Sequence, residues 1–166
     1  MQVSPTMSDD IQHNATGFLS GFIARERIDV DVEVSSKKRL LEEVADLLTV
    51  HTDNLNRDTV FQILNERERL GSTGIGSGIA IPHGRIEGIE QPIICAMRLS
   101  ESLNFDSIDD KPVVLVIGLL VPADADQTHL KILARLAGAF RDDEILATLK
   151  TCKDSSQLLD VLHGLQ

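Results

Sequence analysis

Apolar residues at Ile28, Val30, Val32 and Val34 alternate strictly with Asp29, Asp31 and Glu33. A period of two predicts a strand with one face on a core and the other in water. Just upstream, Phe18, Leu19, Phe22 and Ile23 fit one face of a short helix that Thr16 can cap. Downstream the period becomes helical: Leu40, Leu41, Val44, Leu47 and Leu48 recur behind Ser35 or Ser36, either of which can cap a helix start. A second helix is predicted from Asp58, with Val60, Phe61 and Leu64 inward, through the charged run Glu66-Arg67-Glu68-Arg69 to a stop at Gly71. Residues 93–99 and 113–121 are apolar runs entered through Pro92 and Pro112, the pattern of central strands buried on both faces. Asp126 or Thr128 can cap a helix that turns Leu130, Leu133, Ala137 and Phe140 inward, and residues 145–150 and 155–165 supply further helical turns. Two helices, then strands, then more helices predict an α/β fold, a single-domain sandwich with a small mixed central sheet flanked by helices.

Composition narrows this picture. A chain of 166 residues with 42% hydrophobic content suffices for one core. Residues 1–15 are polar and aperiodic, so a disordered tail is expected before a domain spanning 16–166. No apolar run approaches the roughly 18 residues of a membrane span, and the N-terminus lacks the pattern of a secretory signal. Cys95 and Cys152 lie far apart in sequence, which suits a reducing compartment. A cytoplasmic chain without membrane insertion is therefore expected. A formal charge of −10 argues against nucleic acid and anionic membranes, which would require a basic stripe, and the absence of Trp and Tyr leaves no base-stacking platform.

Candidate chemistry gathers at residues 71–84, where Gly71, Gly74, Gly76, Gly78 and Gly84 mark backbone that turns sharply or is closely approached. Gly76-Ser77-Gly78-Ile79-Ala80-Ile81 lacks the third glycine of a dinucleotide fingerprint, and no Gly-Lys-Ser/Thr follows, so nucleotide binding is not indicated. What remains is His83, its backbone set by Pro82 and freed by Gly84. A neutral imidazole attacks phosphorus readily and leaves readily. On these residues alone, a structural and a nucleophilic reading of His83 both stand. His13, His51 and His163 show no comparable setting. A zinc site from His83 and His129 would lack a third ligand at suitable spacing, so neither metal nor cofactor is expected.

The stretch 68–84 resembles the phosphorylation-site motif of type-2 IIA domains, the mannitol/fructose family of the bacterial phosphotransferase system. The resemblance rests on Glu68, Ile75, Gly76, Ile79, Ala80, Ile81, Pro82, His83 and Gly84 at the family's spacing. Arg67-Glu68-Arg69-Leu70-Gly71-Ser72-Thr73-Gly74-Ile75-Gly76 is most similar to the nitrogen-regulatory branch, as are Ser36-Lys37-Lys38-Arg39, Leu119-Leu120-Val121-Pro122-Ala123 and Thr128-His129-Leu130. The turn Glu87-Gly88-Ile89-Glu90 is shorter than the branch leads one to expect. The resemblance implies that His83 accepts a phosphoryl group on Nε2 from a histidine-containing phosphocarrier protein, beside His129 and Arg67 as stabilising residues. Read without it, His129 is a helix-surface histidine and Arg67 a solvated helix charge. It implies a phosphocarrier that regulates partner proteins, such as potassium-transport or sensor-kinase components, according to phosphorylation state. The alternative is a freestanding IIA component of a fructose- or mannitol-type uptake system that passes the group to a IIB domain.

Overall fold

The computed structural model describes residues 17–125 and 127–165; the expected tail, the Thr16 cap, His13 and the Asp126 cap lie outside them. The apolar run starting at Val113 forms β6 (Val113–Pro122), which pairs antiparallel with β5 (Ile93–Leu103). On its other edge β6 runs parallel to β3 (Ile79–Ala80) and β4 (His83–Ile86), two pieces of one broken strand. Beyond β5 lies β1 (Ile23–Val32), in parallel, and beyond β3 lies β2 (Gly74–Gly76), antiparallel, so the six-stranded sheet is mixed.

From Leu115 to Val121 the β6 side chains alternate between two cores, because strand periodicity sends neighbours to opposite faces. Leu115, Ile117, Leu119 and Val121 face one core, and Val116 and Leu120 the other; Val113, at the start of the strand, departs from the alternation and packs with the second. The first is covered by α3 (Thr128–Ala139), α4 (Asp143–Thr151) and α5 (Ser155–His163), through Ile132, Leu136, Leu149, Leu158 and Leu162. The second is covered by α1 (Lys37–Leu48) and α2 (Arg57–Leu70), through Leu40, Leu41, Val44, Leu48, Val60 and Leu64. Helices on both faces of a mixed sheet are the α/β sandwich expected from the element order. Each fully buried leucine contributes about 1.5–3 kcal/mol relative to exposure, so the α1 stripe is a main anchor of its layer. Among the described residues no helix is long and apolar enough to cross a membrane. Cys95 and Cys152 are both buried and free, and burial pushes the Cys95 thiol up to about 12.

Caps follow local chemistry. Ser36 Oγ accepts from Arg39 N at 3.1 Å and opens α1. Asn56 Oδ1 accepts from Thr59 N at 3.0 Å, so α2 starts at Arg57, one residue before the expected Asp58. At α3 the N-cap is Gln127, which makes no side-chain capping bond, and Thr128 is the first helical residue rather than the cap.

Three expectations need correction. The short helix carrying Phe18 to Ile23 is instead a set of turns over 17–22, with Ile23 already in β1. So short a helix would not recover its nucleation cost, and the Phe22 carbonyl is taken by Ile94 N at 3.0 Å. The alternation from Ile28 to Val34 does leave Asp29, Asp31 and Glu33 exposed, but its apolar residues do not share one face: Ile28 and Val30 pack into the first core, Val32 and Val34 into the second. An irregularity between Asp29 and Val32, with Asp31 at φ 58°, is a bulge that inserts one residue and flips the strand's faces. In α3, Leu130 is 54% exposed, whereas Ile132 and Leu136 are buried with Phe140, and Leu133 is only half-buried. Two apolar stripes at helical spacing overlap in this sequence, and the position of the sheet selects the one through Ile132 and Leu136.

Candidate functional site

The glycine-rich segment becomes a tight hairpin leading to a broken strand. Ser77 and Gly78, at φ 59° and 82°, occupy the two central positions between β2 and β3, a turn that needs left-handed backbone. Ile81 N donates to Thr73 O at 2.9 Å and Leu119 N to Pro82 O at 3.0 Å, so the chain stays tied to both neighbours across the break. Pro82 has no N–H to give, and β4 resumes at His83, paired with Leu119 of β6. His83 is thus the first residue of a new strand segment, held by sheet bonds on one side.

The His83 ring is half-buried, and its Nδ1 lies 2.7 Å from the Ile81 carbonyl oxygen. A carbonyl only accepts, so Nδ1 carries the hydrogen and the neutral ring presents its lone pair on Nε2. The pKa of His83 is lowered, first by burial; the Ile81 bond opposes this, Arg67 and His129 add to it, and Glu68 opposes it. The ring is therefore biased toward the neutral, nucleophilic form.

Gly84 is not among the positive-φ glycines, so it is glycine for a packing reason rather than for the backbone freedom expected beside His83. A Cβ there would lie 2.3 Å from Cγ2 of Ile63, so its absence lets α2 approach β4 closely. That approach brings the last turn of α2 toward His83. Arg67, half-buried on that turn, donates from Nη1 to the Gly71 carbonyl at 2.9 Å, which ties the guanidinium to the end of its own helix.

Glu68 does different work. Its carboxylate is buried, accepts from Thr73 N at 3.1 and 3.2 Å and from Thr73 Oγ1 at 2.5 Å, and pairs with Lys37 Nζ at 2.8 Å. The acidic position of the motif is an anchor that fastens the glycine-rich segment to α2 and α1.

His129 is the second residue of α3, half-buried, with its pKa lowered by burial and then by the charge of Arg85. Arg85 Nη2 lies 3.3 Å from His129 Nδ1. Arg67, His83, Arg85 and His129 line one cleft, with Ile63 and Leu70 as apolar wall and Glu66 as its carboxylate. The three residues expected at the site come together, although they lie on three separate elements. Arg85 was not anticipated. Its signal was position: two residues after His83 on one strand, it shares that residue's side of the sheet.

His51 follows α1 at φ 58°, and His163 Nε2 lies 3.5 Å from the Ile23 carbonyl oxygen; neither lines this cleft. Among the described residues, no three His, Cys, Asp or Glu side chains are grouped to hold a metal ion. Two arginines, a helix start and two neutral-leaning imidazoles suit a small dianion, which would gain charge-assisted contacts there.

The sequence matches the family described as phosphoenolpyruvate-dependent sugar phosphotransferase system, EIIA 2, over residues 21–164. A nitrogen regulatory protein of Bradyrhizobium diazoefficiens is 38% identical over 144 residues, 87% of this chain and 94% of its own. The crystal structure of the nitrogen regulatory protein IIA-Ntr from Neisseria meningitidis is 42% identical with a TM-score of 0.80, over 86% of this chain and 97% of that one. The IIA mannitol structure from Escherichia coli shares the fold at 22% identity, with a TM-score of 0.69 over 84% and 97% of the two chains.

Proposed function

Because the chain belongs to the phosphoenolpyruvate-dependent sugar phosphotransferase system EIIA 2 family, we propose that His83 accepts a phosphoryl group on Nε2 from a phosphohistidine of a small carrier protein. The observation that carries this reading is the 2.7 Å contact of His83 Nδ1 with the Ile81 carbonyl. It holds the ring in the tautomer whose Nε2 is the nucleophile and keeps Nδ1–H in place throughout. In the transfer the donor's N–P bond breaks as the bond from Nε2 to phosphorus forms. The donor ring, protonated on its other nitrogen, leaves as neutral imidazole; no proton has to move at His83, whose phosphorylated ring keeps Nδ1–H and takes up the positive charge the donor ring gives up. Catalysis is then positioning and charge stabilisation. Arg67 meets the charge of the phosphoryl oxygens, and His129 donates a hydrogen bond from the start of α3.

The output is regulation of partner proteins by phosphorylation state, a reading supported by the likeness to nitrogen regulatory proteins. The added group brings about −1.5 to −2 charges onto a chain already at −10. Partners that rest on the cleft through apolar contacts would be released, and partners presenting arginines would be gained. Relay of the group to a separate IIB domain is the alternative; loss of label on mixing with such a domain would favour it, and retention would favour regulation.

Incubation with phosphorylated carrier tests the proposal. One phosphoryl group should be added, labile to acid and stable to base, and none to His83→Ala. His129→Ala should fold normally and accept the group about 10²–10³-fold more slowly. Acid-stable label, or label surviving in His83→Ala, would refute the assignment.

A further inference from the structure

At the start of the helix that carries His129, the N-cap residue Gln127 makes no side-chain capping bond. The orientation of the His129 ring is instead met from across the cleft. Arg85, on β4, directs Nη2 to Nδ1 of the ring at 3.3 Å. A guanidinium has five N–H groups and no acceptor, so in this pair the ring nitrogen must accept. An accepting Nδ1 leaves the hydrogen of the neutral ring on Nε2. A second cation at Nδ1 would face the guanidinium, so protonation there is opposed. Arg85 and His83 share one strand and are two residues apart, so the residue that orients His129 moves with the acceptor rather than with α3.

We infer that Arg85 is a positioning residue for phosphoryl transfer: by donating to His129 Nδ1 it holds that ring neutral, with Nε2–H available to a phosphoryl oxygen. The role rests on the proposed acceptor function of His83. It assigns the two histidines opposite tautomers for opposite tasks. His83, whose Nδ1–H is bonded to the Ile81 carbonyl, offers an Nε2 lone pair; His129, whose Nδ1 is occupied by Arg85, offers an Nε2–H. The lowered pKa of His129, to which Arg85 contributes after burial, agrees with this arrangement. The other charged or titratable groups on the cleft wall are Arg67 and Glu66 of α2 and His83 of β4.

The test compares wild type, Arg85→Ala, Arg85→Lys, His129→Ala and the Arg85→Ala/His129→Ala double variant. Initial rates are read with phosphorylated carrier, and histidine nitrogens are titrated by NMR in the unmodified proteins. Losing the partner that orients a working histidine is expected to slow transfer by about tenfold. Arg85→Lys, which keeps a cationic donor, should recover most of that rate. In the His129→Ala background Arg85→Ala should add no further loss, because the residue acts through the ring. The NMR signal of wild-type His129 should show Nδ1 unprotonated and Nε2 protonated at neutral pH, and its titration midpoint should rise in Arg85→Ala. A purely structural Arg85 would move neither nitrogen. The role is overturned by a wild-type rate in Arg85→Ala, by an unmoved midpoint, or by equal losses from Arg85→Ala with and without His129. Wild-type protein that takes no label would instead sink the acceptor reading, and the titration reports on the Arg85 to His129 contact in either case.

Discussion

Gly84→Ala adds a single methyl at the tightest helix-to-strand approach near the site. The new Cβ would lie 2.3 Å from Ile63 Cγ2, about 1.2 Å short of the ~3.5 Å at which carbons touch. Ile63 cannot easily turn away, because a β-branched side chain in a helix keeps one χ1 rotamer, and leaving it costs about 1 kcal/mol. Part of the strain must therefore move α2 from β4, and overpacking of this kind costs about 1–3 kcal/mol. Against a typical total of about 5–15 kcal/mol the protein remains folded. With a urea slope of about 2 kcal/mol per molar, the unfolding midpoint should fall by roughly 0.5–1.5 M. Arg67 lies one turn beyond Ile63 on the same helix, so the displacement carries the guanidinium away from His83. Transfer should slow by more than the stability loss alone suggests, at least about tenfold, since misplacement by 1 Å can cost about 10². Truncating the clashing partner supplies the control. Ile63→Ala/Gly84→Ala should unfold within about 0.5 kcal/mol of Ile63→Ala alone, because the methyl then fits the vacated space. A wild-type urea midpoint for Gly84→Ala, or a double variant as strained as the sum of the two singles, would refute the packing argument.

The lowered pKa of His83 gives a signed pH dependence, because the neutral ring is the nucleophile. The transfer rate should rise with pH and level off at a midpoint below the ordinary ~6.5, and Arg67→Ala should move that midpoint up. Linkage gives the matching sign for stability. Between the depressed folded value and the ordinary unfolded one, the unfolded chain binds more protons, so stability rises with pH across that window and is flat above it. His83→Gln should remove part of this slope in urea midpoints measured across the same window. Glu68→Ala should destabilise by about 2 kcal/mol, a figure discounted for the partial exposure of Lys37, because it strips Thr73 N and Lys37 Nζ of their carboxylate partner. Glu68→Gln, which keeps an acceptor, should lose less, and thermal melts separated by roughly 4–8 °C for the alanine variant are the check.

Much of the architecture was legible because its signals are local. Ser36 and Asn56 open helices through their own side chains, and the stripe Leu40, Leu41, Val44 and Leu48 needs only a 3.6-residue period to face a core. The run that became β6, and that of β5 as far as Met97, are apolar throughout, so either register buries them. His83 stood out for the same reason, since Pro82 and the glycines around it act on adjacent backbone. Where two local solutions were equally good, only long-range contacts chose between them. In α3 one apolar stripe runs through Leu130 and Leu133 and another through Ile132 and Leu136, and the sheet selected the second. In β1 the alternation from Ile28 to Val34 was sound for an isolated strand, but pairing with β5 forced a bulge at Asp31 and divided those residues between two cores. The burial of Glu68 under Thr73 and Lys37, and the meeting of Arg85 with His129 across 44 residues of sequence, depend on how separate elements pack. Periodicity and capping report what a segment can bury or bond within its own few turns. Which of two faces is buried, and which distant donor meets which ring nitrogen, is set by packing free energy that no single segment contains.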